Sequence, residues 1–240
     1  MAEGLVLLDN LRFGEVIRKQ DNHLVGTQIE MTAESFRRYL WYSLGALAFF
    51  PLTEFLSVAP IGTWFLLNAQ LIYLLPAIVA ILALPVLPVV AVFRKYRASA
   101  LRLLVLSAVL VASTFGGAIV GQHVRMRGMG AMADRSAILT SAIERYERDS
   151  GVAPAALEDL VPGYLAEVPS TGMMAYSQYR YLAGDETEKQ YQGNPWVLRV
   201  YTPSGGINFD EMLYFPNQNY PKQGYGGTLE LVGDWAYLHE

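Results

Sequence analysis

The sequence predicts an α+β membrane protein, with three transmembrane helices leading into an extracytoplasmic domain where a helix packs on a small antiparallel sheet. Three observations carry that expectation. Apolar stretches recur at residues 39–56, 73–93 and 100–121. Basic residues cluster before the first and between the second and third. After residue 160, alternating segments rich in Tyr and Trp replace the apolar runs.

The composition agrees. Of 240 residues, 52% are hydrophobic and only 17% charged, against about a quarter charged in ordinary soluble domains. The deficit is local. Between Leu40 and Phe93 the ionisable side chains are Tyr42, Glu54 and Tyr73. A hydrocarbon core of about 30 Å needs roughly 20 apolar residues in helical form. The second and third stretches meet that length, and the first meets it with Glu54 near its end. With no cysteine, disulfides, thiolate metal sites and cysteine nucleophiles are excluded.

Four segments are expected: a cytoplasmic arm over 1–38, a three-helix membrane region over 39–121, a joint over 122–133 and an extracytoplasmic α+β domain over 134–240. Within the arm, Leu5, Leu8, Leu11 or Arg12, and Val16 fall along one side, a pattern suited to the membrane surface or to a partner protein. The first residues lack the basic region and long apolar core of a cleavable signal peptide, so the first helix is expected to act as an uncleaved anchor. Thr32, with Glu34 and Ser35, is placed to cap that helix.

Orientation follows from Lys and Arg, which hold short loops in the cytoplasm. Arg12, Arg18, Lys19, Arg37 and Arg38 precede the first helix, and Arg94, Lys95, Arg97 and Arg102 lie between the second and third. The uncharged link at 57–62 then faces outward, and the C-terminal half lies outside. Residues 122–240 carry a net charge of −6 and residues 1–121 a net charge of +2. Arg125 and Arg127, just past the third stretch, weigh mildly the other way. Tyr39, Trp41, Tyr42 and Trp64 suit the interfaces. Residues 61–72, with Asn68 and Gln70, read either as an interfacial helix or as an extension of the second span. Pro76, Pro85 and Pro88 predict kinks.

In the third helix Ser113, Gly117 and Gly121 recur every four residues, with Ala112 and Gly116 beside them. Small residues at that spacing let another helix approach closely. Two occupants fit, a partner subunit or the first two helices of the same chain. Glu54 is the one carboxylate in a membrane stretch. It reads as a water-exposed residue near the outer end, with a proton or ion path as the functional alternative.

In the outer domain, residues 134–148 form an amphipathic helical pattern with Ile138, Leu139, Ala142, Ile143 and Tyr146 on one side. Asp149-Ser-Gly151 ends it, and Pro154 opens a short helix carrying Leu157, Leu160 and Val161. Strands are expected at 176–182, 196–201, 207–215, 228–232 and 235–237, with Pro203-Ser-Gly-Gly206 as a hairpin turn and 216–227 as a loop.

The run Ala137-Ile-Leu-Thr-Ser-Ala-Ile-Glu-Arg-Tyr-Glu-Arg-Asp-Ser-Gly151, followed by Pro154, Leu157-Glu-Asp-Leu-Val-Pro162, Tyr164-Leu165 and Pro169, resembles the globular part of type II secretion pseudopilins and type IV pilins. The resemblance covers residues 100–215 at most. It implies a pilin-like domain in which a membrane helix continues outward and a sheet folds back over it. The family's leader pattern, Gly-Phe-x-x-x-Glu, is absent near 97–106. Processing and polymerisation as a pilin are therefore not expected.

No arrangement for catalysis emerges. His23, His123 and His239 are far apart, with no HExxH spacing, P-loop, dinucleotide fingerprint or Gly-x-Ser-x-Gly. His123, near the outer end of the third helix, suits water contact better than a haem or pigment. Asp185, Glu186 and Glu188 read as a charged loop without calcium-site spacing. Asp210 and Glu211 are adjacent, so on a strand they face opposite ways. The sequence thus predicts no enzyme, cofactor or metal. It suits a non-catalytic accessory subunit of the bacterial cytoplasmic membrane, contacting lipid and other membrane subunits and not nucleic acid. The larger complex would be secretory, respiratory or photosynthetic. A component of a secretion or pilus-like machine, and a transporter or membrane enzyme, are the alternatives.

Overall fold

Helix α1, Ala33–Val58, opens where expected. The Thr32 hydroxyl accepts the Ser35 amide at 3.2 Å, satisfying one of the free donors at a helix start. The computed structural model describes residues 32–205 and 208–240, so the predicted surface pattern in the N-terminal arm lies outside the described residues. Two further short helices, α2 (Phe65–Asn68) and α4 (Val86–Val90), flank α3 (Leu71–Ala83). Helix α5, Arg97–Ser150, is 54 residues long, which at 1.5 Å per residue is about 80 Å.

Among the described residues two segments are long and apolar enough to cross a membrane, Phe65–Ala83 and Arg97–Ser150. The second span therefore begins eight residues earlier than the apolar run suggested and includes Asn68 and Gln70. It ends at the turn around Pro85, because proline cannot donate to the preceding turn. Helix α1 has the length, but Trp41, Tyr42, Ser43, Pro51, Thr53 and Glu54 dilute its apolar character. The exposed side chains of α3, among them Leu75, Ile78, Val79 and Leu82, are apolar, as in a helix solvated by lipid.

The predicted joint at 122–133 is corrected: α5 runs through it unbroken. Its glycines serve packing. Val58 on α1 occupies the space a Cβ on Gly128 would need. The helix ends at Gly151, which takes the left-handed conformation (φ 80°) and donates to the Glu147 carbonyl at 2.8 Å.

The C-terminal half of α5 is the spine of the domain. Six strands, β1 (Arg180–Ala183), β2 (Trp196–Tyr201), β3 (Glu211–Tyr214), β4 (Gln223–Gly224), β5 (Gly227–Val232) and β6 (Trp235–His239), form one antiparallel sheet in the order β1-β2-β3-β6-β5-β4. Alternation along the strands produces two cores. Trp196, Leu198 and Val200 of β2, Met212 and Tyr214 of β3, and Trp235 and Tyr237 of β6 pack on Met129, Met132, Leu139, Ala142 and Ile143 of α5. Within this core Trp235 Nε1 donates to Ser136 Oγ at 2.8 Å. On the opposite face Val197, Leu213, Phe215 and Leu238 are covered by Tyr191, Tyr220 and Tyr225. A single turn of tight helix at Leu157–Leu160 packs Leu157 and Leu160 under the first core.

The strand expected at 176–182 is shorter. Met174–Tyr176 is a helical turn, and pairing starts only at Arg180. The expected charged loop after Gly184 is instead helix α6, Asp185–Gln190. Three acids in its first turn and Lys189 in its last complement the helix dipole.

Candidate functional site

The stripe of small residues on α5 is filled by α1 of the same chain. A Cβ on Gly117 would collide with the Ala46 carbonyl, and one on Gly121 would lie 3.1 Å from Glu54 Cγ and 3.3 Å from the Phe50 backbone. Gly116 approaches the Leu47 side chain, Ser113 is buried, and Ala112 is exposed outside the seam. The pairs Ala46–Gly117 and Phe50–Gly121 share one sequence offset, 71 residues, so the helices run parallel and in step. Each next rung lies four residues on along both helices. After Phe50–Gly121 it is Glu54–Arg125, again 71 residues apart.

That rung carries an ion pair. Arg125 Nη1 lies 3.4 Å from Glu54 Oε2. Arg125 is fully buried and Glu54 is 7% exposed. The water-exposed Glu54 expected from sequence is thus corrected: its depth on α1 matches that of Arg125 on α5, and Arg125 and Gln70 engage its carboxylate inside the structure. On its other oxygen Glu54 accepts from Gln70 Nε2 at 3.1 Å, and the same amide donates to Thr53 Oγ1 at 2.9 Å.

The guanidinium reaches far beyond Glu54. Nη1 also donates to Ser57 Oγ at 3.4 Å and Tyr176 OH at 3.2 Å. Nε donates to Tyr237 OH at 3.0 Å, and Nη2 to the Thr202 carbonyl. The Tyr176 and Tyr237 rings flank it, with centroids 5.6 and 5.7 Å from Cζ. Both hydroxyls pass the contact on. Tyr176 donates to the Pro203 carbonyl at 2.8 Å, and Tyr237 to Asp210 Oδ2 at 2.8 Å. Asp210 in turn accepts from the Glu240 amide at 3.1 Å. One side chain therefore joins α1, the turn at Met174–Tyr176, the β2–β3 connection and β6, and through Glu54 the start of α3.

The electrostatics favour a permanent charge. A guanidinium keeps its proton throughout the accessible pH range, and Glu54, Tyr176 and Tyr237 surround it here. Burial, the largest influence, pushes the Tyr237 hydroxyl up, against the pull of Arg125. Arg125 is thus a fixed cation between Glu54 and, through Tyr237, Asp210. Charge-assisted bonds of this kind are the strong ones. Removing one partner of a buried pair strands the other and costs about 3–5 kcal/mol. Chemically the arrangement is a clamp, with every guanidinium nitrogen engaged by a protein acceptor.

A second polar cluster lies on the opposite sheet face. Arg199 grips Glu211 through Nε and Nη2 at 2.8 and 2.6 Å, and donates to Tyr191 OH at 2.9 Å. Asp210 and Glu211 do point to opposite faces, each to its own arginine system. Phe209, Tyr225, Leu238 and Glu240 complete a shallow depression of about 210 Å³ there.

His123 is exposed, with Nδ1 2.8 Å from the Ile119 carbonyl. Among the described residues no cluster of three metal-ligating side chains occurs. Sequence reasoning missed Arg125 as a functional residue, although the four-residue stripe Ser113, Gly117, Gly121 continues directly into it. No family model, curated protein or solved structure matches the chain.

Proposed function

We propose that this chain is a non-catalytic integral-membrane accessory subunit that docks onto and stabilises a larger complex of the bacterial cytoplasmic membrane. Its N-terminus is cytoplasmic and its sheet domain extracytoplasmic. The observation that carries the proposal is the dual use of α5. One unbroken helix supplies a membrane-length apolar segment and the core of the aromatic domain. The Arg125 clamp then fixes α1 to both. Such a body presents a domain at a set height and orientation, as a subunit that positions partners must. Helix α1 completes a three-helix anchor in this reading, with Glu54 neutralised by Arg125 where the two helices leave the lipid. That pairing also accounts for the carboxylate on which a transport pathway would depend. The test is extraction in mild detergent, followed by size-exclusion chromatography. A stoichiometric set of membrane proteins should co-elute and lose integrity when this chain is deleted. A solitary monodisperse monomer contradicts the proposal.

A second reading, a component of a secretion or pilus-like machine, is favoured by one feature. A sheet packs on the distal half of a helix whose proximal half is apolar, which suits a pilin-like domain. Cleavage before α5 would support it. Such a cut would also release the helix carrying Glu54 from covalent linkage to Arg125, so the intact clamp favours the anchored subunit.

A further inference from the structure

A groove lies immediately beyond the apolar part of α5, between that helix and the edge of the sheet. Gln122, His123, Met126 and Arg127 form one wall and Glu230, Leu231 and Val232 of β5 the other, enclosing about 420 Å³. From this observation we propose that the groove binds the phosphodiester headgroup of one phospholipid from the outer leaflet, an inference that rests on the membrane topology proposed above.

Three features select that occupant. Arg127 is exposed and makes no hydrogen bond or ion pair among the described residues, in contrast to the fully engaged Arg125 two residues earlier. Its planar fork is suited to a phosphate oxygen pair. His123, one turn below, donates from Nδ1 to the Ile119 carbonyl, which leaves Nε2 as an acceptor for a headgroup hydroxyl beside the phosphate.

The second feature is continuity. Phe115 and Ile119 are more than half exposed on α5 and four residues apart; Gln122 and His123 lie three and four residues beyond Ile119, and Met126 three beyond His123. An apolar stripe thus runs up the helix into the groove, and an acyl chain lying along it would deliver its headgroup to His123 and Arg127. The third feature is depth. Arg127 is six residues past Gly121, about 9 Å along the axis at 1.5 Å per residue. The headgroup layer is about 5–8 Å thick on each side, within reach of a snorkelling arginine. Leu231 and Val232 line the groove from the strand side, and Leu231 is 66% exposed. An apolar glycerol backbone and upper acyl carbons fit that wall. Glu230 Oε2 is held by His239 Nε2 at 2.8 Å.

The experiment is native mass spectrometry of the full chain in detergent, with added phosphatidylglycerol, comparing wild type, Arg127→Lys, Arg127→Gln and the double variant His123→Gln/Arg127→Gln. One lipid adduct per chain should survive mild activation in wild type, and a weaker one in Arg127→Lys, which keeps the charge without the fork. It should fall about tenfold in Arg127→Gln and further in the double variant. Equal adducts in all four overturn the site, as does no adduct in wild type. Displacement of the lipid by millimolar inorganic phosphate would assign the groove to free phosphate and overturn the lipid occupant. Circular dichroism verifies folding of each variant, which exposure of both residues favours. Alkaline extraction of membranes separates the two proposals. Wild-type chain that resists extraction yet carries no adduct defeats the lipid site alone. Chain released by extraction defeats the membrane reading and the site together.

Discussion

Arg125 and Glu54 form the charged end of a ladder whose lower rungs are glycine against backbone. Their 3.4 Å contact is reached because Gly117 and Gly121 bring α1 and α5 together in a constant register four and eight residues below. Close backbone approach and buried charge are therefore one device. Without the glycines the carboxylate and the guanidinium would not meet, and without the pair the seam would end in two unpaired buried charges.

Arg125→Met should destabilise the protein by about 3–5 kcal/mol, because Glu54 and Asp210 would be left without their common cation. Glu54→Gln should cost less, about 1–3 kcal/mol, since Arg125 keeps Tyr237, Tyr176 and Thr202. The double variant should cost less than the two together, as expected for residues in one network. Denaturant titration in detergent, read by tryptophan fluorescence, measures all three. Strict additivity would show that the pair is not coupled.

Gly117→Val should separate the helices, because its side chain meets the Ala46 backbone. A loss above about 2 kcal/mol is expected from such overpacking. Gly116→Ala should be mild, under about 1 kcal/mol, because it meets only the movable end of Leu47 at 3.2 Å. The same unfolding assay ranks them, and equal effects would contradict the seam.

The aromatic core predicts an alkaline transition. Burial holds the Tyr179 and Tyr214 hydroxyls up to about 12, with Glu144 assisting at Tyr214, against an ordinary value of about 10. A raised folded pKa gives stability that is complete below pH 10 and lost as pH rises through 12. Tyrosinate absorbance should therefore include a cooperative step near pH 12. That step should coincide with loss of near-ultraviolet circular dichroism. A single transition near pH 10 with the fold intact would refute this.

Ser136→Ala should remove the acceptor of Trp235 Nε1 and leave a buried indole donor unpaired, at about 1–3 kcal/mol. Trp235→Phe, which removes the donor with much of the ring retained, tests the same contact from the other side. Thermal unfolding of both variants checks the pairing, and no change in either would contradict it.

The legible part of the fold was local. The Thr32 cap, the end at Gly151, the strand at 196–201 and the opposite facing of Asp210 and Glu211 all follow from side-chain chemistry within a few residues. Helix α6 was hidden because its polar composition resembles a loop; only its charge order, acids first and lysine last, marks a helix. The continuous helix through 122–133 is hidden because Gly128 and Gly130 resemble helix breakers in sequence, whereas Gly128 is the space that Val58 needs. The clamp was hidden by sequence distance, since Arg125 and Tyr237 are 112 residues apart. One signal did exist. The expected topology makes α1 and α5 parallel, so an acid near the end of one and an arginine just past the end of the other stand at equal depth.

In the proposed topology apolar helices anchor the chain in the cytoplasmic membrane and hold the sheet domain outside. The natural absence of cysteine permits a direct measurement. Lys189→Cys on α6 and Lys95→Cys between α4 and α5 would each be treated with a membrane-impermeant maleimide in intact cells and after permeabilisation. Labelling of Lys189→Cys in intact cells, with Lys95→Cys reached only after permeabilisation, is the predicted result. The reverse pattern, or recovery of both variants in the soluble fraction, would contradict the account.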